Sequence, residues 1–322
     1  MNRRNFLKRG LIVSGAVWLS GKRAVRAASQ KSKVIIAQNS KVLAQQQVRG
    51  DVLLSLLDNA MQSYFDCDHP VRAWQKVART GEVIGLKINC LSGAGSTHHE
   101  LVEAIVERLQ QAGIKPYNII IWDRLNKDLE DCKFKINYRG KGVKCFGNDA
   151  VGFYPELQVF GQAGSLVSRI VTDLCDGIIN VALLRDHSIA GISVALKNMF
   201  GAIHNPNKYH LNAGNPFIAD VNAFPMIRSK IRLHIVDALE GQYHGGPAFM
   251  PQWRWPFAGI MLSQDPVATD AVAWQIIEQK RKEKGLPPLK QENREPRYIF
   301  TAGDAEHRLG HFDKNKIETV HI

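Results

Sequence analysis

A histidine and a lysine, His187 and Lys197, lie ten residues apart in a segment where both side chains could do acid–base chemistry. His187 comes just after a long apolar run, 178–184, and Asn198 is next to Lys197. An imidazole titrates near neutral pH and can act as a general base, and a lysine beside it can hold an anion. We take His187 and Lys197 as candidate catalytic residues and Asn198 as a candidate binding residue. The alternative is a histidine bonded to backbone and a solvated lysine.

A second candidate is the turn Gly93-Ala94-Gly95-Ser96-Thr97, which lies between a predicted strand and a predicted helix. Its backbone amides, with the N-terminus of a helix behind them, could hold a phosphate or a carboxylate. The turn lacks the third glycine of a dinucleotide fingerprint and the lysine of a P-loop. Gly93, Gly95, Ser96 and Thr97 are therefore candidate ligand-binding residues, and an ordinary turn with a serine or threonine N-cap is the alternative.

Polar residues also follow the other apolar runs. Asn89 ends one of them, and Asp123 and Asp237 end two more. Ligands of open α/β sheets bind beyond the carboxyl ends of the strands, so these groups should converge if the strands are parallel neighbours. Asn89 and Asp237 are candidate binding residues, although Asp123 and Asp237 could also be turn residues.

The pair Asp265-Pro266 has the pattern of a helix N-cap followed by proline in the first turn.

The elements that must position these residues alternate along the chain. Buried strands are predicted at 33–38, 83–89, 118–123, 177–184, 231–237 and 258–263, and helices at 52–65, 100–112, 189–200 and 267–284. Such alternation predicts an α/β fold, layered, with a mostly parallel sheet and helices on both faces.

The five cysteines, at 67, 90, 132, 145 and 175, include no C-x-x-C pair. Iron–sulfur clusters and thiolate zinc sites need closely spaced thiolates, so the sequence predicts no such site and no metal ligands. The odd count argues against a disulfide framework. A bridge between Cys132 and Cys145, across a possible hairpin, is conceivable, but free buried thiols are the expected state.

The first thirty residues have the pattern of a twin-arginine export signal. Arg3 and Arg4 precede an apolar doublet and Lys8, a short apolar stretch follows at 10–21, and small residues at 25–27 suit a signal peptidase. The apolar run is well short of the roughly 20 residues of a spanning helix, which argues against an uncleaved anchor. We expect residues 1–27 to be the signal and 28–322 a single α/β domain, with the twin-arginine translocase as partner and a periplasmic or other extracytoplasmic location.

The basic charge of the chain is concentrated in this signal. Seven lysines and arginines lie there with no acidic residue, and removing them reduces the formal net charge from +12 to about +5. The charge is then no argument for nucleic-acid binding. No second apolar segment approaches spanning length, so no membrane span is expected after cleavage.

Three stretches carry a family resemblance. They are Lys197-Asn198-Met199-Phe200-Gly201, the strand ending Gly85-Leu86-Lys87-Ile88-Asn89, and Asp265-Pro266-Val267-Ala268-Thr269-Asp270, together with the aspartate after Val236. In these stretches the chain resembles the bacterial and archaeal family called domain of unknown function 362, and the resemblance covers most of the chain after the signal. Similar members often carry a ferredoxin-like cysteine cluster, which this chain lacks. The resemblance implies no established reaction.

The segment from His187 to Lys197 is also similar to a run in nickel-pincer lactate racemases. There a histidine, Ala-Gly, a serine and a lysine have the spacing of His187, Ala190-Gly191, Ser193 and Lys197. In those enzymes the histidine is the acid/base and the lysine holds the cofactor. The glycine pair before that lysine is replaced by Val194-Ala195-Leu196, and a Gly-Thr-His signature by Asp123-Arg124-Leu125. The likeness implies a pocket location, and the cofactor stays unknown.

Three functions follow as hypotheses. The first is a protein that binds a small anionic molecule or cofactor, with acid–base or redox chemistry at His187 and Lys197. The second is a non-catalytic periplasmic maturation or binding factor for a redox system, and the third is a structural scaffold. The first needs one cleft lined by His187, Lys197, Asp237 and a residue of the 93–99 turn. The second needs a cleft without a base within hydrogen-bond reach of its ligand, and the third requires that no cleft be present.

The export hypothesis can be tested directly. Changing Arg3→Lys together with Arg4→Lys should trap the precursor in the cytoplasm, because the translocase reads the paired guanidinium groups. Cell fractionation and N-terminal sequencing measure this, and the mature wild-type chain should begin at Ala28 or Ser29. Normal periplasmic levels of the double variant would contradict the hypothesis.

Overall fold

The apolar runs form the strands of one central sheet in the computed structural model, which describes residues 31–45 and 47–322. The predicted export signal lies outside the described residues. Lys31–Ile322 forms one compact unit.

The strands differ widely in length. Their bounds are β1 Ser32–Gln38, β2 Leu43–Ala44, β3 Gln47–Val48, β4 Ile84–Lys87, β5 Ile119–Trp122, β6 Lys144–Cys145, β7 Gln158–Phe160, β8 Ala163–Ser165, β9 Gly177–His187, β10 Gly191–Ile192, β11 Ile231–Gln242, β12 Arg254–Ser263 and β13 Ile317–His321. All six predicted strands are present. β9 and β11 are longer than predicted because they continue past the apolar runs into polar residues, and β12 is longer because it begins earlier, at Arg254.

The central sheet has nine strands. Eight follow the order β13-β1-β12-β11-β9-β4-β5-β6, and β10 pairs with the end of β9. The pairings of β4 with β5 and β9, of β5 with β6, of β9 with β11 and of β1 with β13 are parallel, whereas β12 is antiparallel to both its neighbours. This mostly parallel sheet confirms the predicted fold class.

Helices surround the sheet. Their bounds are α1 Gly50–Phe65, α2 Pro70–Gln75, α3 His99–Gln111, α4 Asn126–Asp131, α5 Ala195–Asn198, α6 Phe217–Ala223, α7 Pro225–Arg228, α8 Pro266–Glu283 and α9 Tyr298–Ala302. The predicted α1, α3 and α8 are confirmed. Within the described residues, none of the helices has the length and apolar character needed to cross a membrane.

Alternation along the strands divides the core between the two faces of the sheet. In β1, Val34 and Ile36 belong to one apolar cluster and Ile35 and Ala37 to the other. Residues of α5 to α9 pack in the first cluster and residues of α1 to α4 in the second. Each fully buried Val, Leu or Ile side chain contributes about 1.5–3 kcal/mol, so both helical layers are held mainly by apolar burial.

The helix predicted over 189–200 is wrong. The chain turns after β9 and runs back as β10, with Gly191 opposite His187 and Ile192 opposite Asp186. Within this range only α5, four residues long, is α-helical, and a 3₁₀ helix follows it at Met199–Ala202. The reason is Gly191: its φ of +80° is left-handed, and a Cβ there would come within 2.2 Å of the Arg294 carbonyl oxygen. The backbone at Gly191 passes so close to the Arg294 carbonyl that a hairpin forms here, although the apolar spacing favours a helix.

Three buried polar side chains hold α5 against the sheet. The Asp270 carboxylate on α8 accepts hydrogen bonds from the backbone N–H of Ala195, at 2.7 Å, and from that of Leu196. Asn180 donates to the Ala195 carbonyl at 2.8 Å, and Asn222 to that of Leu196 at 2.9 Å. Because α5 is too short to be stable alone, these contacts fix its position.

The N-cap predicted at Asp265 is confirmed. Its side chain accepts the N–H of Ala268 at 2.8 Å, and Pro266 occupies the first turn of α8. Such a cap stabilises a helix by about 1 kcal/mol.

The hairpin explanation predicts a difference between two glycine variants. Gly285 also has a positive φ, +70°, but a Cβ there would meet no atom within 4 Å. Gly285→Ala should therefore lower the unfolding free energy by only the left-handed strain, about 1–2 kcal/mol. Gly191→Ala should lower it by a further 1–3 kcal/mol or so, because the methyl group overlaps the Arg294 carbonyl. Urea unfolding measures both, and equal losses would contradict the explanation.

Candidate functional site

A cleft opens where the carboxyl ends of β4, β5 and β9 meet. Its volume is about 430 Å³, within the size range of small-molecule sites. It is lined by Lys87, Asn89, Leu91, Asp123, Arg124, Asp128, His187, Ser188, Ile189, Ser193, Lys197, Asn198, Phe200, Gly201, Pro206, Asn207, His210 and Pro247. Four of the predicted site residues, His187, Lys197, Asn89 and Asn198, are therefore brought together in one cleft.

Lys197 is buried in the cleft wall without a carboxylate. Its Nζ lies 3.0 Å from Nε2 of His210 and 4.2 Å from the centre of the Phe200 ring. The other nitrogen of His210 lies 3.3 Å from the Asn207 carbonyl, to which only an N–H can donate, so Nε2 accepts from the lysine. Burial, and then the positive charge of Arg185, lower the pKa of Lys197 to about 7. The ammonium of Lys197 can thus lose its proton near neutral pH.

His187 is held in one tautomer by its own turn. Its Nδ1 accepts the backbone N–H groups of Ile189 and Ala190, both at 3.1 Å. Burial, and then the charge of Lys197, lower the pKa of His187 to about 2, so the ring is neutral at physiological pH. Because Nδ1 is an acceptor, the proton of the neutral ring is on Nε2. His187 therefore presents a hydrogen-bond donor, and its one basic nitrogen is already bonded to the backbone.

A network of amide side chains forms the floor of the cleft. The Oδ1 of Asn198 accepts from Nδ2 of Asn89 at 3.0 Å and lies 3.4 Å from Nζ of Lys87. Lys87 forms a buried ion pair with Asp123 at 2.7 Å. The Nδ2 of Asn198 donates to Asn180 at 2.7 Å. Both amides are thus fully engaged and hold Lys87 in a fixed position.

Arg185 lies behind this network as a second buried cation. It donates through Nη2 to Oδ1 of Asn89, at 2.9 Å, and through Nη1 to the hydroxyl of Ser92. Its Nε is buried without a hydrogen-bond partner among the described residues. Burial lowers the pKa of Arg185 to about 10. The guanidinium therefore remains charged at neutral pH and adds to the positive potential of the cleft.

The structure does not bring Asp237 into the cleft. The carboxylate is fully buried and accepts the backbone N–H of His98 at 2.8 Å and that of Leu239 at 3.2 Å, and its Oδ2 lies 2.8 Å from the His98 ring. Burial raises the pKa of Asp237, but the charge of His98 and the hydrogen bonds from the His98 ring and from the two backbone N–H groups together outweigh it, and the net shift of the pKa is downward. Asp237 fastens α3 to β11.

The turn Gly93 to Thr97 also lies outside the set of residues that line the cleft. Gly93–Gly95 is a single 3₁₀ turn. The Thr97 hydroxyl accepts the backbone N–H of Asn89 at 2.9 Å, and the Ser96 hydroxyl contacts the Cys132 thiol at 3.1 Å. The turn thus supports the backbone that carries Asn89. Neither Ser96 nor Thr97 caps α3, whose N-cap is His98 without a side-chain hydrogen bond.

Sequence reasoning missed several lining residues, most importantly His210. It lies between two irregular segments, Pro206–Tyr209 and Leu211–Gly214, which have no periodic pattern. Lys87 and Arg185 were visible as the polar ends of apolar strands and could have been found by that signal. No group of three or more metal-ligating residues (His, Cys, Asp or Glu) is present in residues 31–45 and 47–322.

The fold and the cleft define an α/β protein with a positively charged pocket at the carboxyl edge of a mostly parallel sheet. Residues 84–275 match the model of the family described as "Domain of unknown function (DUF362)", and the chain belongs to that family. The matched range includes the cleft residues Lys87 on β4, Asp123 after β5, His187 on β9, and Lys197 and Asn198 on α5.

Among solved structures, the chain is similar to a crystal structure of a Thermotoga maritima protein from the Northeast Structural Genomics Consortium. The identity is 11% and the TM-score 0.44, and the match covers 74% of this chain and 60% of that one. The matched part thus spans less than two thirds of the other protein's length. No curated protein matches the chain.

The burial of Lys197 predicts a specific dependence of stability on pH. Between pH about 7 and about 10.5 the unfolded chain keeps the lysine proton and the folded chain releases it, so unfolding free energy rises with pH. Below pH 7 both states are protonated and the cost of burying the charge is present in full. Relative to Lys197→Met, the wild type should gain on the order of a few kcal/mol across this window.

Urea unfolding of both proteins from pH 6 to pH 10 measures this difference, and other titrating groups cancel in the comparison. The matched control is Lys208→Met, at an exposed lysine near the cleft. A parallel pH profile for wild type and Lys197→Met would show that the lysine is not buried as a cation.

Proposed function

We propose that this protein binds a small anionic molecule in the cleft, with its negative group between Nζ of Lys197 and Nε2 of His187. The single observation that supports this most strongly is the environment of Lys197, a buried ammonium whose only hydrogen-bond partner among the described residues is a neutral imidazole. An unpaired buried cation is costly unless a counterion arrives, and a bound carboxylate or similar group supplies one.

The charges around the cleft favour an anion. The positive charge of Lys87 is offset by Asp123, with which it forms an ion pair. Arg185 and Lys197 are not offset in this way, since no carboxylate forms an ion pair with either one in the described part of the chain. Both side chains are buried, so these two charges act over a low local dielectric and attract a ligand of opposite sign.

The arrangement supports acid–base chemistry in which Lys197, and not His187, exchanges the proton. Lys197, with a pKa lowered to about 7, can donate or accept a proton at physiological pH. His187, neutral and protonated on Nε2, acts as a fixed hydrogen-bond donor that polarises an oxygen of the ligand. A carbonyl or carboxylate oxygen is the group that such a donor suits.

A non-catalytic binding or maturation factor is the second candidate. The observation that favours it is the engagement of Nδ1 of His187 by two backbone amides, which leaves the histidine unable to serve as a base. The scaffold hypothesis required that no cleft be present, and the cavity of about 430 Å³ argues against it. Turnover of a bound ligand that depends on Lys197 would distinguish an enzyme from a binding factor.

The proposed place of action is the periplasm or another extracytoplasmic space, reached through the twin-arginine translocase. Support comes from the paired arginines Arg3 and Arg4 and from the short apolar stretch after them. This route carries folded proteins, which suits a cleft assembled from distant parts of the chain, from Lys87 to Pro247.

The binding proposal predicts stabilisation by small anions. Acetate, lactate, phosphate or sulfate should raise the melting temperature. The unfolding free energy should increase by about 2.7 kcal/mol when the free anion is at a hundredfold excess over its dissociation constant. Lys197→Met should weaken binding about tenfold or more, because a charge-assisted hydrogen bond contributes about 1.5–3 kcal/mol. Lys208→Met should bind like the wild type. Affinity should fall about tenfold per pH unit above pH 7, as Lys197 loses its proton.

Isothermal titration calorimetry and thermal shift measure these effects, and His187→Gln tests the second contact. Glutamine retains a donor and much of the volume, so this variant should keep its fold, with a loss of about 1 kcal/mol, and bind less tightly. Equal stabilisation of wild type and Lys197→Met by every anion would overturn the proposed site.

A further inference from the structure

Two of the five cysteines lie side by side next to the cleft. Cys90 follows β4, and Cys132 ends α4. The Sγ of Cys132 is 3.2 Å from the backbone carbonyl of Cys90 and 3.1 Å from the hydroxyl of Ser96, so the Cys132 thiol packs directly against the Cys90 residue. The sequence had suggested Cys145 as a partner for Cys132, but the fold places Cys90 there.

The surroundings distinguish Cys132 from the other buried thiols. Hydrogen bonds from the Cys90 thiol and the Ser96 hydroxyl favour the Cys132 thiolate and lower its pKa to about 7, against the opposing effects of burial and of Asp123 and Asp128. The hydrogen bond with Cys132, and then burial, raise the pKa of the Cys90 thiol. Burial raises the pKa of Cys145 and Cys175 to about 12.

The groups that pack around the pair come from several elements. Asp123 after β5 accepts the backbone N–H of Cys90 at 2.6 Å, and its other oxygen is paired with Lys87. His99 of α3 binds the backbone carbonyl of Cys132 at 2.7 Å through Nε2. Cys132 remains about 9% exposed and Cys90 about 2%, so a small reagent can reach the first more readily than the second.

We propose that Cys132 and Cys90 form a redox-active dithiol, in which Cys132 is the attacking thiol and Cys90 the resolving thiol, and that its oxidant is a small hydroperoxide. The Cys132 thiolate attacks the terminal oxygen of the hydroperoxide, an S–O bond forms and the O–O bond breaks. The leaving alkoxide or hydroxide takes up from solvent the proton that Cys132 lost on ionisation, and so departs as an alcohol or water. The sulfur of Cys90 then attacks the sulfenic acid, the S–S bond forms, and the S–O bond breaks with release of water. The two thiols lose two electrons and the hydroperoxide gains them.

The place of this dithiol in the fold gives its oxidation a structural consequence. Cys90 lies between Asn89 and Leu91, both of which line the cleft. A bond from Cys90 to Cys132 replaces the contacts of the Cys132 thiol with Ser96 and with the carbonyl groups of Cys90 and Gly93. The inference stands independently of what the cleft binds, since it depends on the thiols alone.

Hydrogen peroxide is the probe for the test. The reduced protein is exposed to it, remaining thiols are alkylated, and peptides are identified by mass spectrometry. A single disulfide-linked peptide joining Cys90 to Cys132 is expected, formed at least about tenfold faster than any oxidation of Cys145, and reversed by dithiothreitol. Its rate should rise with pH and level off just above pH 7, where Cys132 is fully ionised.

Variants assign the two roles. Cys90→Ser should accumulate a sulfenic acid at Cys132 that dimedone traps, whereas Cys132→Ser should leave Cys90 reduced. Cys145→Ser should behave like the wild type. Circular dichroism checks that each variant is folded, and Cys90→Ala and Cys132→Ala replace any that is not. Peroxide reactivity of Cys132 equal to that of Cys145, or a disulfide to another cysteine, would overturn the proposal.

Discussion

The contact between the Asp270 carboxylate and the backbone amides of Ala195 and Leu196 determines where the cleft can form. The carboxylate is fully buried, and burial raises its pKa well above the usual range even though the two amides favour its charged form. It joins α8, a long helix held by apolar burial, to α5, a helix of four residues. Without this contact the first amides of α5 would be buried without partners, at a cost of about 1–3 kcal/mol each. The positions of Lys197 and Asn198 follow from it.

The position of Lys197 in turn sets the chemistry. The Lys197 side chain at the end of α5 is about 8% exposed, and its ammonium lies beside His210 and Phe200, where burial of its charge destabilises the folded protein. Sites that keep such a cost are commonly functional, since a ligand of opposite charge removes it. The same charge acts on His187 and helps to keep its ring neutral. Burial and this cation together keep the His187 ring neutral, and the two backbone N–H groups on Nδ1 leave Nε2 as its donor.

The apolar pattern was enough to predict the six main strands and their mostly parallel arrangement, because burial on both faces leaves a continuous apolar run in each strand. Helical spacing of apolar residues was enough to predict the three long helices α1, α3 and α8. The strand ends were enough to find Asn89 and His187, whereas Lys197 and Asn198 came from the segment after His187 and the family resemblance that it carries. The failure at 189–200 came from backbone contact: apolar spacing does not show that Gly191 must pass against the Arg294 carbonyl. Asp237 also ends an apolar run, as Asn89 does, but its carboxylate pairs with His98 and does not line the cleft. The prediction failed there because local sequence does not show which distant residue a charge will pair with.

Asp123 illustrates how one side chain can belong to two sites. Its Oδ1 accepts from Nζ of Lys87 and from the backbone of Arg124, and its Oδ2 accepts from the backbone of Cys90. The carboxylate thus neutralises one cation of the cleft and at the same time fixes the segment that carries the Cys90 thiol. Because the charge of Lys87 is already paired with Asp123, the anion that we propose for the cleft would be held by Lys197 and His187. The proposed Cys90–Cys132 bond would act on the segment that carries Asn89 and on the Asp123 carboxylate, and both of these belong to the hydrogen-bond network around Lys87.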